Sequence, residues 1–242
     1  MNFVGLCLYN LYFSLKKIFQ GKIDKGELVR HIVFIAFESL PMILVLTSVS
    51  SLIITVNTAT ELEKYGGREL IGAAITLSNL QEITPIFIAF AIMARCGTAY
   101  TAEIASMKIS DQINALQIMK VDPLYYLLTP RLLAIILITP FILAISAFCS
   151  TIAGMLMANI SIKLEYVEFL DSAWRYATMK EYLYPLVKTI IFNVFMVIVV
   201  VSTALSCGKS SKDVGLATSR ASTMVIIGVV VLNGFLTPIL YH

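Results

Sequence analysis

The sequence predicts an all-α integral membrane protein with about five transmembrane helices and an N-terminal helix that lies in the membrane interface. Three observations support this fold class. Apolar residues make up 58% of the 242 residues and charged residues only 14%, whereas soluble domains contain about 45–50% and about 25%. The mean hydropathy is +0.86. Five runs of roughly 20 or more residues carry almost no charge, and this is the length a helix needs to cross a bilayer.

Composition and spacing also exclude several classes of function. Polar residues are too few to cover the surface of a soluble enzyme, and a net charge of +3 is too small to indicate nucleic acid as a partner. The four cysteines are widely spaced and include no C-x-x-C pair, so they suggest neither a metal site nor a disulfide framework. The sequence therefore predicts no catalytic residue, no metal and no cofactor.

A possible nucleotide-binding motif fails on its spacing. Gly208-Lys209-Ser210 looks like the end of a phosphate-binding loop, but the glycine required five residues earlier is Thr203. The sequence therefore predicts no nucleotide site in this chain.

The predicted spans follow the uncharged runs. We place them at about residues 32–56, 70–94, 127–160, 185–208 and 221–241. The many valines and isoleucines in the last two spans are compatible with helix, because in lipid every backbone group must bond within its own segment. Outer-membrane strands would instead alternate in polarity over about ten residues, and the sequence lacks that pattern.

Residues 1–31 are predicted to form an interfacial helix followed by a linker. Asn10, Ser14 and Lys17 recur at helical spacing and make a narrow polar stripe. The opposite face is apolar and holds Leu8, Leu11, Tyr12, Leu15 and Phe19. Such a pattern is typical of a helix that lies in the interface, and an ordinary sixth span is the alternative. A secretory signal is not indicated, because the first charges follow the apolar stretch.

Basic residues are distributed unevenly between the two sides of the membrane. With the N-terminus inside, the inner segments hold twelve lysines and arginines and the outer segments hold five. Because basic residues are enriched in cytoplasmic loops, this bias predicts a cytoplasmic N-terminus and a C-terminus on the opposite side.

Glu82 is an ionisable residue inside the second span, and such residues are functional candidates. Pro85 removes a backbone donor and frees a carbonyl one turn earlier, so we expect the helix to kink here. Two roles remain open for Glu82. It is either a structural carboxylate tied to a neighbouring helix or, with Gln81 and Pro85, part of a substrate cavity. Glu38, with Pro41 after it, poses the same choice in the first span.

The connection between the second and third spans, residues 97–122, is the most informative loop. Gly97, Thr101 and Ala105 form a stripe of small residues that permits close helix packing. Asp122 is predicted to cap the next helix, with Pro123 at its first position. A short amphipathic helix between two spans is suited to receive force from a soluble partner, although interfacial packing explains the pattern nearly as well.

Several of these motifs together resemble the MlaE-type permease family. The matching runs are L-Q-E-I-T-P at 80–85, A-R-C-G-T-A-Y-T-A-E-I at 94–104, Gln112 through Met119, V-D-P at 121–123 and P-R at 130–131. The run at 214–221 looks like the glycine-bearing cytoplasmic turn of the family, and Leu236-Thr237 is similar to its ending. The resemblance is good over roughly residues 70 to 242.

The family consists of membrane subunits of ABC transporters that move phospholipids between bacterial membranes. The resemblance therefore implies a permease domain at 32–242, a homodimer, a cytoplasmic ABC ATPase that hydrolyses ATP in a separate chain, and an MCE-domain protein on the outer side. It also implies a phospholipid substrate and a place in the bacterial inner membrane, with a periplasmic C-terminus.

The resemblance also suggests where the functional residues lie. Candidates for the lipid cavity are Gln81, Glu82 and Pro85. Candidates for coupling to the ATPase, within residues 97–122, are Thr101, Glu103, Met107, Lys108, Asp111 and Gln112. The chain departs from the family pattern at Gln81, where arginine is common, and at Asn233, where an acidic residue is common.

Two further functions remain as alternatives to an ATP-driven lipid permease. The chain could be a structural anchor that holds the ATPase and the lipid-binding partner without forming the path. A secondary transporter is less favoured, because the sequence shows neither a series of intramembrane carboxylates for proton relay nor a repeated pair of interrupted spans.

Overall fold

The computed structural model describes Gly5, residues 25–208 and residues 210–241. It confirms the predicted fold class and the five spans. The helices long and apolar enough to cross a membrane are Lys25–Lys64, Arg68–Ile109, Pro123–Ile162, Met179–Leu205 and Ser211–Tyr241. Each one extends beyond the predicted apolar run at one or both ends, because polar residues continue the helix there. The predicted interfacial helix lies outside the described residues, and the part of the predicted linker from Lys25 onward is already helical.

We number the α-helices of the described chain α1 to α9. They are α1 (Lys25–Lys64), α2 (Ile71–Ser78), α3 (Thr84–Ile92), α4 (Thr98–Ile109), α5 (Gln112–Ile118), α6 (Pro123–Ile162), α7 (Tyr166–Tyr176), α8 (Met179–Leu205) and α9 (Ser211–Tyr241). A 3₁₀ turn at Arg68–Leu70 leads into α2. Two π-helical turns, Asn79–Ile83 and Met93–Gly97, join α2, α3 and α4 into one continuous helical run.

The start of α6 confirms one local prediction and the start of α9 corrects another. Pro123 is the first residue of α6, and the Asp122 carboxylate accepts a hydrogen bond from the backbone N–H of Leu124 at 3.0 Å. The turn expected at 214–221 is wrong, because these residues are helical. The helix begins at Ser211, where the Asp213 side chain accepts a hydrogen bond from the backbone N–H of Ser210.

The chain divides into two compact units, each built from several segments. The first unit comprises the described residues within Met1–Ser39, Ala89–Ile138 and Ile190–Leu232. The second unit comprises those within Leu40–Ile88, Thr139–Thr189 and Asn233–His242.

The core of the second unit includes α7, a helix that the sequence analysis missed. Phe169 of α7 is fully buried in a cluster with Ile71, Ile75 and Leu164. Ser172 holds α7 to the start of α2, since its hydroxyl donates to the carbonyl of Glu69 and accepts from a backbone N–H. The helix is short and strongly amphipathic, so its sequence contains no apolar run long enough to predict a span.

In the first unit the predicted small-residue stripe is buried. Gly97, Thr101 and Ala105 are all inaccessible to solvent. A side chain at Gly97 would press on the sulfur atoms of Met93 and Met196, which fits the predicted role of the stripe in close packing.

Candidate functional site

The centre of the second unit is a polar cluster around Glu82. This residue lies in the π turn Asn79–Ile83, directly before α3. Pro85 has no backbone N–H to give to the carbonyl of residue 81, which lies four residues earlier. The free carbonyl of Gln81 accepts a hydrogen bond from the ammonium group of Lys188 at 3.0 Å. The carbonyl that the sequence predicted to be freed therefore has a partner from α8.

Lys188 is the cation of this cluster. Its side chain is 0% exposed. The ammonium group donates to Glu82 Oε1 at 2.9 Å, to Thr237 Oγ1 at 3.0 Å and to the Gln81 carbonyl. An ammonium group has three donors, so these three bonds occupy it completely. A buried charge is tolerated when it is paired and fully hydrogen-bonded in this way.

Residues of α9 and the start of α8 complete the cluster. Asn233 Nδ2 donates to Glu82 Oε2 at 3.0 Å, and the Thr237 hydroxyl lies 3.0 Å from Glu82 Oε1. Gln81 Nε2 donates to the carboxylate of Glu181. We call the six residues the Glu82 cluster: Gln81, Glu82, Glu181, Lys188, Asn233 and Thr237.

These contacts show what the sequence analysis found and what it missed. Glu82 is tied to two neighbouring helices, as the structural alternative expected, while its side chain remains 35% exposed. The cavity role of Gln81, Glu82 and Pro85 stays a prediction. The sequence analysis assigned no role to Lys188. The rule that selected Glu82, an ionisable group in an apolar run, applies to Lys188 as well.

The predicted coupling residues are divided between buried and exposed positions. Thr101 is buried and donates to the carbonyl of Gly97, so its hydroxyl is not accessible to another protein. Lys108 donates to the carbonyls of Leu205 and Cys207, at 2.7 and 2.5 Å. A cation at the end of α8 is favourable, because the last carbonyls of a helix lack intrahelical donors and carry partial negative charge.

Cys207, one of these two acceptors, lies outside the spans. Its thiol is buried, and burial raises the pKa of the Cys207 thiol above its ordinary value. The thiol is therefore neutral at physiological pH, and Lys108 interacts with the carbonyl of this residue and not with a thiolate.

Glu103 and Arg131 form the main ion pair of the first unit. Arg131 Nη2 donates to Glu103 Oε2 at 2.7 Å, with the arginine side chain 4% exposed and the glutamate 49% exposed. Arg131 Nη1 donates to the carbonyl of Leu127 at 2.6 Å, and the guanidinium lies 4.9 Å from the ring centroid of Tyr100.

A cavity of about 160 Å³ lies beside this pair. Its lining includes Met107, Thr129 and Arg131. Arg131 Nε and Thr129 Oγ1 are buried without a hydrogen-bond partner in the described part of the chain. Of the predicted coupling residues, Glu103 and Met107 thus belong to this cavity.

The end of the segment 97–122 is the most exposed part of the candidate coupling region. Asp111 and Gln112 are accessible to solvent, and Asp111 has a left-handed backbone with φ of 57° between α4 and α5. Ile118 is 83% exposed and Met119 is 64% exposed. These two apolar residues lie outside the candidate spans and were not among the predicted coupling residues. Polar residues around them interrupt the apolar pattern, so the sequence analysis did not select this pair.

Glu38, the other intramembrane carboxylate of the sequence analysis, is also paired. Arg95 Nη2 donates to its Oε2 at 2.5 Å, and both side chains are about half exposed. Arg95 lies in the π turn Met93–Gly97. The pair links α1 to the end of α3 within the first unit.

Known proteins similar to this chain include several described as permeases. The family described as Permease MlaE matches residues 28–239. A probable ABC transporter permease protein of Synechocystis is 27% identical over 225 residues, 93% of this chain and 86% of that protein. Another of Rickettsia typhi is 26% identical over 238 residues, 98% of this chain and 92% of that protein. The chloroplastic protein trigalactosyldiacylglycerol 1 of Arabidopsis thaliana is 23% identical over 226 residues, 93% of this chain and 65% of that protein.

Proposed function

Because the chain belongs to the MlaE permease family, we propose that it is the membrane subunit of an ATP-driven phospholipid transporter in a bacterial inner membrane. It acts as a homodimer, with a cytoplasmic ABC ATPase that hydrolyses ATP and an MCE-type lipid-binding protein on the outer side. The observation that carries the proposal is the Glu82 cluster, a set of hydrogen-bonded polar groups within apolar spans.

The chemistry of the cluster and its surroundings suits a phospholipid. A phospholipid has a polar headgroup and long apolar tails, so it needs a few polar groups beside a large apolar surface. The second unit supplies both, since large apolar side chains are exposed on its segments of α1 and α9. They include Val45, Val49, Ile53, Phe235 and Ile239. The Arabidopsis relative is named after a diacylglycerol lipid, which supports the same substrate class.

The exposed faces of α1 and α9 support the homodimer. Within one chain, only 22% of an apolar 18-residue stretch of α1 and 11% of the corresponding stretch of α9 are buried. Five helices without a wide polar face do not enclose a pathway alone, and a second copy related by two-fold symmetry supplies the missing wall.

The exposed end of residues 97–122 is the proposed docking site for the ATPase. Ile118 and Met119 provide an apolar contact, and Asp111 and Gln112 provide polar groups around it. The charge bias of the sequence supports a cytoplasmic place for this segment and the N-terminus, and the C-terminus is then on the periplasmic side. Docking there lets ATP-driven movement act directly on the ends of two spans.

Photocrosslinking tests the lipid path. A photoreactive amino acid at Gln81 is expected to capture labelled phospholipid in the full chain reconstituted in membranes. Gln81 is preferable to Glu82, because replacing Glu82 would leave Lys188 without its carboxylate. The control is Met42, which is 37% exposed on α1 and is not a member of the Glu82 cluster. Equal labelling at both positions would contradict a defined cavity and favour a structural anchor.

Disruption of the docking surface tests the coupling. Ile118→Asp is expected to abolish co-purification of the ATPase and lipid-stimulated ATP hydrolysis while leaving membrane insertion intact. Val167→Asp is the matched control, because Val167 is similarly exposed on α7, outside the predicted coupling segment. Normal ATPase association in the Ile118 variant would exclude this docking site, and lipid transfer that does not need ATP would favour a secondary transporter.

A further inference from the structure

The Glu82 cluster carries a surplus of negative charge. The cluster contains two carboxylates, Glu82 and Glu181, but a single ammonium group, that of Lys188. Lys188 is fully buried and its three donors are already bonded within the chain. Its charge therefore neutralises Glu82, and Glu181 is left without a cation in the cluster. Both glutamate side chains remain partly accessible to solvent.

One buried acceptor of the cluster has no donor. Asn233 Nδ2 is turned toward Glu82 Oε2, which fixes the amide oxygen on the other side. This Oδ1 atom is buried and receives no hydrogen bond from the described residues. A buried acceptor without a donor is unfavourable by the full cost of its desolvation. The hydroxyl of Tyr241, whose ring lies 5.7 Å from Lys188 Nζ, is likewise buried and unpartnered.

We propose that the Glu82 cluster binds the primary ammonium group of an aminophospholipid headgroup, such as that of phosphatidylethanolamine. This assignment rests on the proposed phospholipid transport and specifies its substrate. The Glu82 and Glu181 carboxylates supply the opposite charge, and Asn233 Oδ1 accepts one N–H once the headgroup displaces the side chains that cover this atom. Charge-assisted hydrogen bonds of this kind are stronger than neutral ones.

Other headgroups match these atoms less well. The phosphate and glycerol of phosphatidylglycerol bring a negative charge and no cation, so the net negative charge of the cluster repels this lipid. The trimethylammonium of phosphatidylcholine carries a positive charge but has no N–H to donate to Asn233. The expected order of binding is therefore ethanolamine, then choline, then glycerol.

Competitive photolabelling tests this order. The full chain in nanodiscs is labelled with photoactivatable phospholipids that share the same tails and differ in headgroup, and the label on cluster residues is quantified by mass spectrometry. Phosphatidylethanolamine is expected to label the cluster about fivefold more than phosphatidylglycerol, the effect of roughly one net hydrogen bond. An N-acetylated phosphatidylethanolamine, which has lost the positive charge, is expected to lose this advantage.

Two substitutions test the two kinds of group that the proposal uses. Glu181→Gln removes one carboxylate and is expected to bring the ratio close to one. Asn233→Leu removes the acceptor without a donor and is expected to lower the ratio. The matched control is Glu168→Gln on α7, whose carboxylate pairs with Arg68 and contacts no member of the cluster. This control should leave the ratio unchanged.

The outcomes separate the two proposals. Labelling of the cluster by all lipids to the same extent, or a ratio unchanged in Glu181→Gln, would overturn the ammonium site and leave phospholipid transport standing. Absence of any lipid label at the cluster would overturn both.

Discussion

Lys188 in the second unit and Arg131 in the first are both buried cations paired with a partly exposed glutamate, yet their surroundings differ. Every donor of Lys188 has an acceptor, and the groups left without partners nearby include the acceptor oxygen of Asn233. Around Arg131 the opposite holds, because its own Nε donor is buried beside a cavity and has no acceptor among the described residues.

This difference indicates two kinds of role. The cation of the Lys188 site has a complete set of partners within the chain. The site therefore fixes the positions of three helical segments and is left with acceptors that lack donors. The Arg131 site is incomplete on the donor side and borders an open cavity, so its pair with Glu103 has room to rearrange. A fully satisfied buried network is rigid, whereas a partly satisfied one is not.

The largest expected effect comes from removing Lys188. Lys188→Met leaves the Glu82 carboxylate unpaired in an apolar span, and breaking a buried pair in this way costs about 3 kcal/mol or more. We therefore expect this variant to give a lower yield of folded protein and a lower thermal midpoint in detergent. The double variant Lys188→Met with Glu82→Gln should recover much of the loss, because no charge is then left alone. Lys64→Met, which removes an exposed pair with Glu61, is the matched control.

The sequence predicted the spans well because hydropathy and helix caps are local properties. The start of α6 at Pro123 and the carbonyl freed by Pro85 were both predicted correctly. The partner of Glu82 was not, because Lys188 lies 106 residues away and its position depends on how α8 packs. The prediction of the coupling residues was limited in the same way, because the sequence does not show which way a side chain points. Thr101, for example, is buried.

A smaller effect is expected at Arg131. Arg131→Met leaves Glu103 without its partner, but this carboxylate is half exposed and water can solvate it, so the free energy of unfolding should fall by about 2 kcal/mol. Arg175→Met, which breaks an exposed pair with Asp171, is the control and should change little. If Arg131→Met destabilised the protein as much as Lys188→Met, the distinction between the two sites would be wrong.

The smallest effect is expected at Lys108, a third cation of the chain whose partners are carbonyls and not a carboxylate. Lys108→Met removes the two hydrogen bonds to the end of α8 and leaves no charge unpaired. Its loss should therefore cost about 1 kcal/mol, the usual contribution of a cation at a helix C-terminus. Thermal unfolding measured beside exposed Lys212→Met gives the comparison, since Lys212 lies near the start of α9 and caps no helix end.

The order Lys188, Arg131, Lys108 follows from one cause, the extent to which each substitution leaves a carboxylate unpaired away from water. A loss at Lys108 as large as that at Arg131 would show that carbonyl capping, and not the unpaired carboxylate, sets the scale of these effects.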